Sequence, residues 1–505
     1  MITLRRNLFK GRLNKLKPPP PPKPNHYEYS ISPTTYTFKV PSFNRPLNPF
    51  QLIYQKAVNF PFESSINETY TSYPHVTSKQ QLNKKTRPKG VIMTTSDFIE
   101  DSLYNKNYGY FMKEVEIYHS KPFNYNQVED IDDFIEEWGK SYSKYSKSSQ
   151  LWHTPTELFN PYYGESLARY ILLNYKLNGN YPYEDLIIYE MGGGNGTLMC
   201  NILNYIKKHE PEIYSNTQYK IIEISNQLAT KQKESYTKKL KEEGLDSNIL
   251  TIHNKSIFEW DQVVEEPCFF IALEVFDNFA HDMIAYDINT GEPLEGKVLI
   301  DKKGDFYQFF TNELSEYSNA YLQLRENGKF SILNQQNTLA GKLKSLQSFY
   351  KSTHPLLEST TKLKLKNSIL PFNDDLTPPE YIPTRLLKFF NILKHKFPNH
   401  SLISSDFHAL PNTIKGFNGP VVQTVLNKET IDVSTYMVHQ GYFDIMFATD
   451  FEMANELYTK ITGKISKITT HKDFLEQWAD VDATTTKYGE NPMLDFYRNV
   501  SFLTS

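Results

Sequence analysis

Apolar positions in this chain fall into two patterns, short continuous runs and stripes at helical spacing. The run Leu186-Ile187-Ile188-Tyr189 ends in Glu190, and Met191 leads into a glycine-dense turn from Gly192 to Gly196. Leu198, Ile202 and Tyr205 follow on one helical face. The stretch therefore predicts a strand, a tight loop and a helix whose N-terminus faces the loop. Strands are also expected at Tyr219–Ile224, Ile249–His253, Cys268–Leu273, Leu402–Ser405, Val421–Val425 and Phe443–Ala448. Thr94-x-x-Asp97 predicts a helix start leading into Phe98, Ile99 and Leu103, and Thr154-Pro155-Thr156-Glu157 opens a helical stripe through Phe159, Tyr163, Leu167 and Tyr170. Two later stripes, Leu339/Leu343/Leu346/Tyr350 and Leu386/Phe390/Leu393/Phe397, read as ordinary packing helices. Residues 116–150 are rich in Asp, Glu, Lys and Ser and read as a solvated insertion; no internal repeat is visible.

The 505 residues are enough for a full α/β core with a second lobe or large insertions. A formal net charge of −3, with no focused basic stripe beyond the N-terminus, gives no attraction to nucleic acid. The mean hydropathy is −0.54. No apolar run approaches the ~20 residues of a membrane helix, so no span is expected. Cys200 and Cys268 offer neither a disulfide framework nor a zinc spacing, and no metal site is expected. Met1 to Pro24 differs from the rest. Arg5, Arg6, Lys10, Arg12, Lys15, Lys17 and Lys23 alternate with Ile2, Leu4, Leu8, Phe9, Leu13 and Leu16, and no acid occurs before Glu28. That segment resembles a mitochondrial transit peptide, a cytosolic basic tail being the plainer alternative, and Pro18–Pro22 form a spacer after it. The expected division is 1–25 transit peptide and spacer, 26–93 irregular extension, and 94–180 N-terminal helical, substrate-side segment. Next come 181–300 cofactor-binding core, 301–400 inserted helical lobe, and 401–505 the C-terminal part of the core.

The glycine turn carries the candidate chemistry. Gly192, Gly194 and Gly196 suit a backbone that takes positive φ and admits a ligand closely. Dinucleotide loops read Gly-x-Gly-x-x-Gly, with room for a pyrophosphate; here the spacing is Gly-x-Gly-x-Gly behind an acid, Glu190, which suits a ligand without phosphate and with an ammonium for the acid to hold. A P-loop is excluded because no Gly-Lys-Ser/Thr follows. Glu223, near the tip of the next strand, is placed to accept hydrogen bonds from ribose hydroxyls. Together these residues point to S-adenosyl-L-methionine, against a glycine turn that binds nothing and against a nicotinamide-dependent oxidoreductase. Glu274 and Asp277 follow the expected strand Cys268–Leu273, at the carboxyl edge where open α/β sheets bind ligands. They are candidates to hold a cationic acceptor and take its proton. The alternative is that Asp277 caps a following helix while Glu274 lines the cofactor or pairs locally. Asp444 and Asp450 read as loop or cap residues, the alternative being that they close the site from the other lobe, and His153 and His281 read as hydrogen-bonded structural histidines.

Several ordered blocks resemble the MidA-like class I methyltransferases. The family's Leu-Tyr…Gly-Tyr-Tyr block is similar to Leu103-Tyr104 and Gly109-Tyr110-Phe111, and its Thr-Ser-Pro-Glu…Phe-Gly block to Thr154–Glu157 and Tyr163-Gly164. Its glycine signature resembles Glu190–Met199, and its Glu-x-Ser-x-x-Leu…Gln block resembles Glu223, Ser225, Leu228 and Gln232. Its Asn-Glu-x-Phe-Asp-Ala block is similar to Leu273–Asn278, and its C-terminal Gly-x-x-Asp-Ile block to Gly441–Ile445 through Asp450-Phe451. Departures are Gly193 for proline, Asn195 for arginine, Leu273 for asparagine, and Asp406-Phe407-His408 for Asp-Tyr-Gly. The resemblance implies a Rossmann-like class I sheet with helices on both faces, plus an N-terminal helical segment and an inserted helical lobe. It implies S-adenosyl-L-methionine as cofactor and a protein substrate, the arginine of a respiratory complex I core subunit, methylated in the mitochondrial matrix during complex I assembly. A non-catalytic assembly factor that keeps the fold is the second expectation.

Overall fold

The computed structural model describes residues 30–31, 38–39 and 73–505, except 113–115, 118–121, 146–150, 225–234, 337–353, 359, 370–375, 412, 414–418 and 427–428. The basic segment 1–25, the Leu339–Tyr350 stripe and the block residues Ser225, Leu228 and Gln232 lie outside the described residues.

Seven strands form the central sheet: β1 Leu186–Met191, β2 Thr217–Ile222, β3 Leu250–His253, β4 Cys268–Leu273, β5 His400–Phe407, β6 Lys467–Thr470 and β7 Val500–Thr504. Their order is β3-β2-β1-β4-β5-β7-β6. Neighbours among β1 to β5 pair in parallel, while β7 runs antiparallel to both β5 and β6. The chain winds outward from β1 in one direction and from β4 in the other, so a crevice opens at their carboxyl ends.

Alternation along the strands buries both faces of this sheet. Ile188, Tyr219, Ile221, Phe269, Ile271, Ile403 and Phe502 share one apolar cluster; Ile187, Tyr189, Met191, Ile222, Phe270, Ala272, Leu402 and Leu503 share another. Burial on two sides is why these strands read as continuous apolar runs rather than alternating ones. The helices that matter here are α1 Thr95–Tyr104, α2 Ile131–Tyr145, α3 Pro155–Leu158, α4 Tyr162–Leu177, α5 Thr197–His209, α6 Thr384–Lys396, α7 Phe451–Thr462 and α8 His471–Trp478. Leu167 and Ile171 of α4, Ile202 and Ile206 of α5 and Leu475 of α8 pack on the first face; Phe390 and Leu393 of α6 and Leu457 of α7 pack on the second. Thr94 and Thr154 cap α1 and α3 through their hydroxyls, as their spacing predicts.

Two further sheets depart from the expectations. A five-stranded antiparallel sheet joins Val91–Thr94, Asp282–Tyr286, Pro293–Ile300, Phe306–Thr311 and Glu380–Ile382 around its own core of Met93, Phe98, Leu294, Val298 and Phe310. The segment 301–400 is thus not helical alone. Two of its stretches are strands paired to residues upstream of 301, and Val91–Thr94 draws part of the 26–93 extension into the same sheet. A three-stranded sheet of Val421–Leu426, Glu429–Val433 and Asp444–Met446 takes two stretches expected as strands, but outside the central sheet. The region 116–150 is not merely solvated either. Tyr125, Val128, Phe134 and Trp138 are buried in the first-face cluster, while the acids of α2 lie between its apolar positions. Among the described residues no helix is long and apolar enough to cross a membrane.

Candidate active site

A cavity of about 240 Å³ lies at the carboxyl ends of β1 and β4. One side is the glycine loop. Gly192 N–H donates to Ile222 O at 3.1 Å and Gly196 N–H to Gly193 O at 2.8 Å, which closes the turn before α5. Gly192, Gly194 and Gly196 have φ of +78°, +51° and +73°, a region that side chains with a Cβ rarely occupy. A Cβ at Gly192 would stand in open space at the cavity wall, whereas one at Gly196 would lie 2.7 Å from the Tyr236 ring. Tyr236 in turn donates its hydroxyl to Gly194 O at 2.7 Å. So Gly192 and Gly194 line the cradle, and Gly196 lets the loop sit down on Tyr236.

Glu190, the penultimate residue of β1, lines the cavity and is buried. Its Oε2 accepts from the Tyr219 hydroxyl at 2.7 Å. Burial, with the Glu223 charge adding to it and the Tyr219 hydroxyl opposing, pushes its carboxyl up to about 7. Glu223 directly follows β2, with its N–H donated to His253 O at 3.0 Å; it is half-buried and, unlike Glu190, is not among the residues that line the cavity.

Another side of the cavity is built from the loop after β4. Glu274 has φ +54°, and its N–H donates to Ser405 O at 2.8 Å. Asp406, buried at the tip of β5, gathers this loop: Oδ2 accepts from Phe276 N–H at 2.7 Å and Asp277 N–H at 3.1 Å, and Oδ1 from Phe407 N–H at 2.7 Å. Asp277 is 5% exposed, lines the cavity, and its Oδ1 has no hydrogen-bond partner among the described residues. It caps no helix, contrary to the alternative expectation; residues 276–279 form a turn closed by Phe279 N–H to Phe276 O at 3.0 Å and lead into a strand. Burial, then the charges of Asp406, Asp444 and Glu274, hold Asp277 far above the usual carboxylate range. Burial followed by Asp406 raises Glu274 to about 8. Asp406 itself reaches about 6, since burial outweighs the backbone N–H groups that favour its charge. Such a cluster of crowded acids around an open cavity suits a planar cation.

Three residues of the wall, Glu157, Tyr110 and Asn278, had no role assigned from sequence, and Asp444 joins them. Glu157, from α3, accepts at Oε1 from Asn195 Nδ2 at 3.0 Å and from Thr197 Oγ1 at 2.7 Å. Tyr110 and Asn278 also line the cavity. Asn278 Nδ2 donates to Asp444 Oδ1 at 2.9 Å and to Ile445 O at 3.2 Å, which brings buried Asp444 into the site rather than into a cap. All four lie in the motif blocks at 103–111, 154–157, 273–278 and 441–445, and that placement was the main signal. Asp450 does cap, taking Met453 N–H on α7 at 3.0 Å. His281 Nδ1 lies 2.8 Å from Phe279 O, a structural contact, while His153 lines the cavity.

Sheet order, glycine loop and acids at the crevice together define a class I methyltransferase. Residues 166–470 match the family of S-adenosyl-L-methionine-dependent methyltransferases, and the chain belongs to that family. It is 26% identical over 330 residues to the mitochondrial protein arginine methyltransferase NDUFAF7 homolog of Schizosaccharomyces pombe, a match covering 63% of this chain and 64% of that relative's length. Among solved structures it is similar to a COG1565 superfamily member from Burkholderia thailandensis bound to S-adenosyl-homocysteine. That likeness has 12% identity and a TM-score of 0.48, and covers 82% of this chain and 87% of that one. The native form of a COG1565 superfamily protein from the same organism gives a TM-score of 0.46, with the same identity and coverage. The residues present fit the family's cofactor: a cradle that a Cβ at Gly192 would enter, with acids at the tips of neighbouring strands.

Proposed function

We propose that this chain is a protein arginine N-methyltransferase of the mitochondrial matrix that methylates a respiratory complex I core subunit during assembly. The observation that carries the reading is buried Asp277, whose Oδ1 has no hydrogen-bond partner among the described residues and which lines the same cavity as the glycine loop and Glu274. An arginine side chain is a planar cation that carboxylates recognise through paired N–H···O bonds. S-adenosyl-L-methionine supplies an electrophilic methyl: the new C–N bond forms as the C–S bond breaks, and the nitrogen gives up a proton. Gly192–Gly194, Glu190 and Glu223 would hold the cofactor. Glu274 and Asp277 would hold the guanidinium with one nitrogen in line, and one of them would accept the proton. The mitochondrial address rests on the basic segment 1–25 and on the printed name of the fission-yeast relative, and the complex I substrate on the resemblance to the MidA-like family alone.

The test supplies methyl-labelled cofactor and a mitochondrial extract, then identifies the labelled amino acid. Methylarginine is expected, and Glu274→Gln should lower its formation by ~10²–10³-fold with cofactor affinity unchanged. Label on another residue type would sink the arginine assignment. Cofactor binding without any transfer would favour the second reading, a non-catalytic assembly factor. Leu273 supports that reading, since it puts an apolar side chain at the cavity wall where the resembling family has asparagine.

A further inference from the structure

We propose that Glu157 holds the α-ammonium of the cofactor's amino-acid end. The inference rests on the family's cofactor and not on the choice of acceptor. Glu157 sits on a short, well-anchored turn: Thr154 Oγ1 accepts its backbone N–H at 3.2 Å, and Pro155 opens the helix. Its side chain is 3% exposed yet lines the same cavity as Gly192 and Gly194. The glycine loop itself aims the carboxylate, through Asn195 Nδ2 at 3.0 Å and Thr197 Oγ1 at 2.7 Å, both on Oε1. Lys239 Nζ donates to the same Thr197 hydroxyl at 2.7 Å, which orients that hydroxyl's proton toward Glu157.

An amino-acid end carries a carboxylate and an ammonium on one carbon. The loop N–H groups and the start of α5 suit the carboxylate. The ammonium then needs an anion from outside the loop, and Glu157 of α3 brings one against the loop itself. Glu190, the acid expected for this role from sequence, takes the Tyr219 hydroxyl on Oε2 at 2.7 Å and stands near the Glu223 charge. It is better placed to support the loop from the strand side.

Calorimetry on the full-length protein separates the roles with two ligands. S-adenosylhomocysteine has the amino-acid end, and 5′-methylthioadenosine lacks it. Glu157→Gln keeps an oxygen that can accept from Asn195 and Thr197 while removing the charge. Affinity for S-adenosylhomocysteine should fall about tenfold to a hundredfold, the scale of a charge-assisted hydrogen bond, with 5′-methylthioadenosine affinity unchanged. Thermal melting of the variant near the wild-type temperature shows that the fold is kept. Equal losses for the two ligands, or no loss for either, would overturn the proposal. So would an amino-acid-specific loss in Glu190→Gln and not in Glu157→Gln. Wild-type protein that binds neither ligand would instead remove the cofactor assignment on which the inference stands.

Discussion

Gly196 holds φ at +73°, and the Cβ of any replacement would fall 2.7 Å from the Tyr236 ring. Gly196→Val therefore faces backbone strain of about 1–2 kcal/mol and a clash that must push either Tyr236 or the loop away. Since Tyr236 also donates to Gly194 O, the displaced ring would loosen the cradle. Binding of S-adenosylhomocysteine by calorimetry should be lost; unchanged affinity would mean the loop does not form the ligand's seat. The acids across the cavity make a second, pH-dependent case. Glu274 ionises near 4.3 in an unfolded chain and at about 8 here. A raised acid favours the protonated folded state, so its stabilising contribution is complete below ~4.3 and is lost as pH rises through about 8. Asp277 and Asp406 shift in the same direction. The ligand-free protein should thus need less urea to unfold at pH 9 than at pH 6, and an added cationic acceptor should lessen the difference. Greater stability at pH 9 would contradict the crowding. These residues differ in how far sequence could reveal them. The glycines and Glu190 are legible because loop spacing is local. Asp406 is not, because the N–H groups it gathers lie 129 and 130 positions away.

Elements were legible where one local pattern dictated them and misread where burial depended on distant partners. β4 occupies the same residues as its apolar run, Cys268–Leu273, because both faces of that strand are covered. Helix α2 shows the opposite. Its acids, Asp132, Asp133, Glu136 and Glu137, give the segment a solvated composition, yet Phe134 and Trp138, one turn apart, share its inner face. Phe134 is 1% exposed and its ring centroid lies 5.0 Å from that of Phe123 and 5.6 Å from that of Tyr125. Phe134→Ala should cost about 3–5 kcal/mol in urea unfolding, the range for a buried aromatic, while Glu136→Ala on the outer face stays within about 0.5 kcal/mol. A loss below about 1 kcal/mol at Phe134 would restore the reading of this region as a dispensable insertion. The strands Val421–Leu426 and Asp444–Met446 teach the complementary lesson. Their apolar content predicts a strand correctly, but which sheet a strand joins is fixed by pairing far along the chain.

At the scale of the molecule, the site has a local half and an assembled half. The glycine loop is one continuous stretch, whereas the acceptor wall brings together Tyr110, Glu274 with Asp277, Asp406, and Asp444 from four parts of the chain. The three-stranded sheet is latched to the acid loop rather than merely packed near it. Phe447 N–H donates to Asp277 O at 2.7 Å, Thr449 N–H to Phe407 O at 2.8 Å, and Asn278 Nδ2 to both Asp444 Oδ1 and Ile445 O. Residues Gln423 to Val425 of that sheet then close the cavity opposite the cradle. Asn278→Ala removes the side-chain part of the latch and leaves the buried Asp444 carboxylate short of a donor, at a cost of about 1–3 kcal/mol. Because the cradle hangs from β1 and β2 and the latch from β4, the effects should separate. S-adenosylhomocysteine affinity should stay within about twofold, while kcat/KM for the acceptor falls by at least about tenfold, the equivalent of ~1.4 kcal/mol in transition-state stabilisation. An equal fall in both would show that the two halves form one mechanical unit, and that the three-stranded sheet supports the whole crevice rather than the acceptor wall alone.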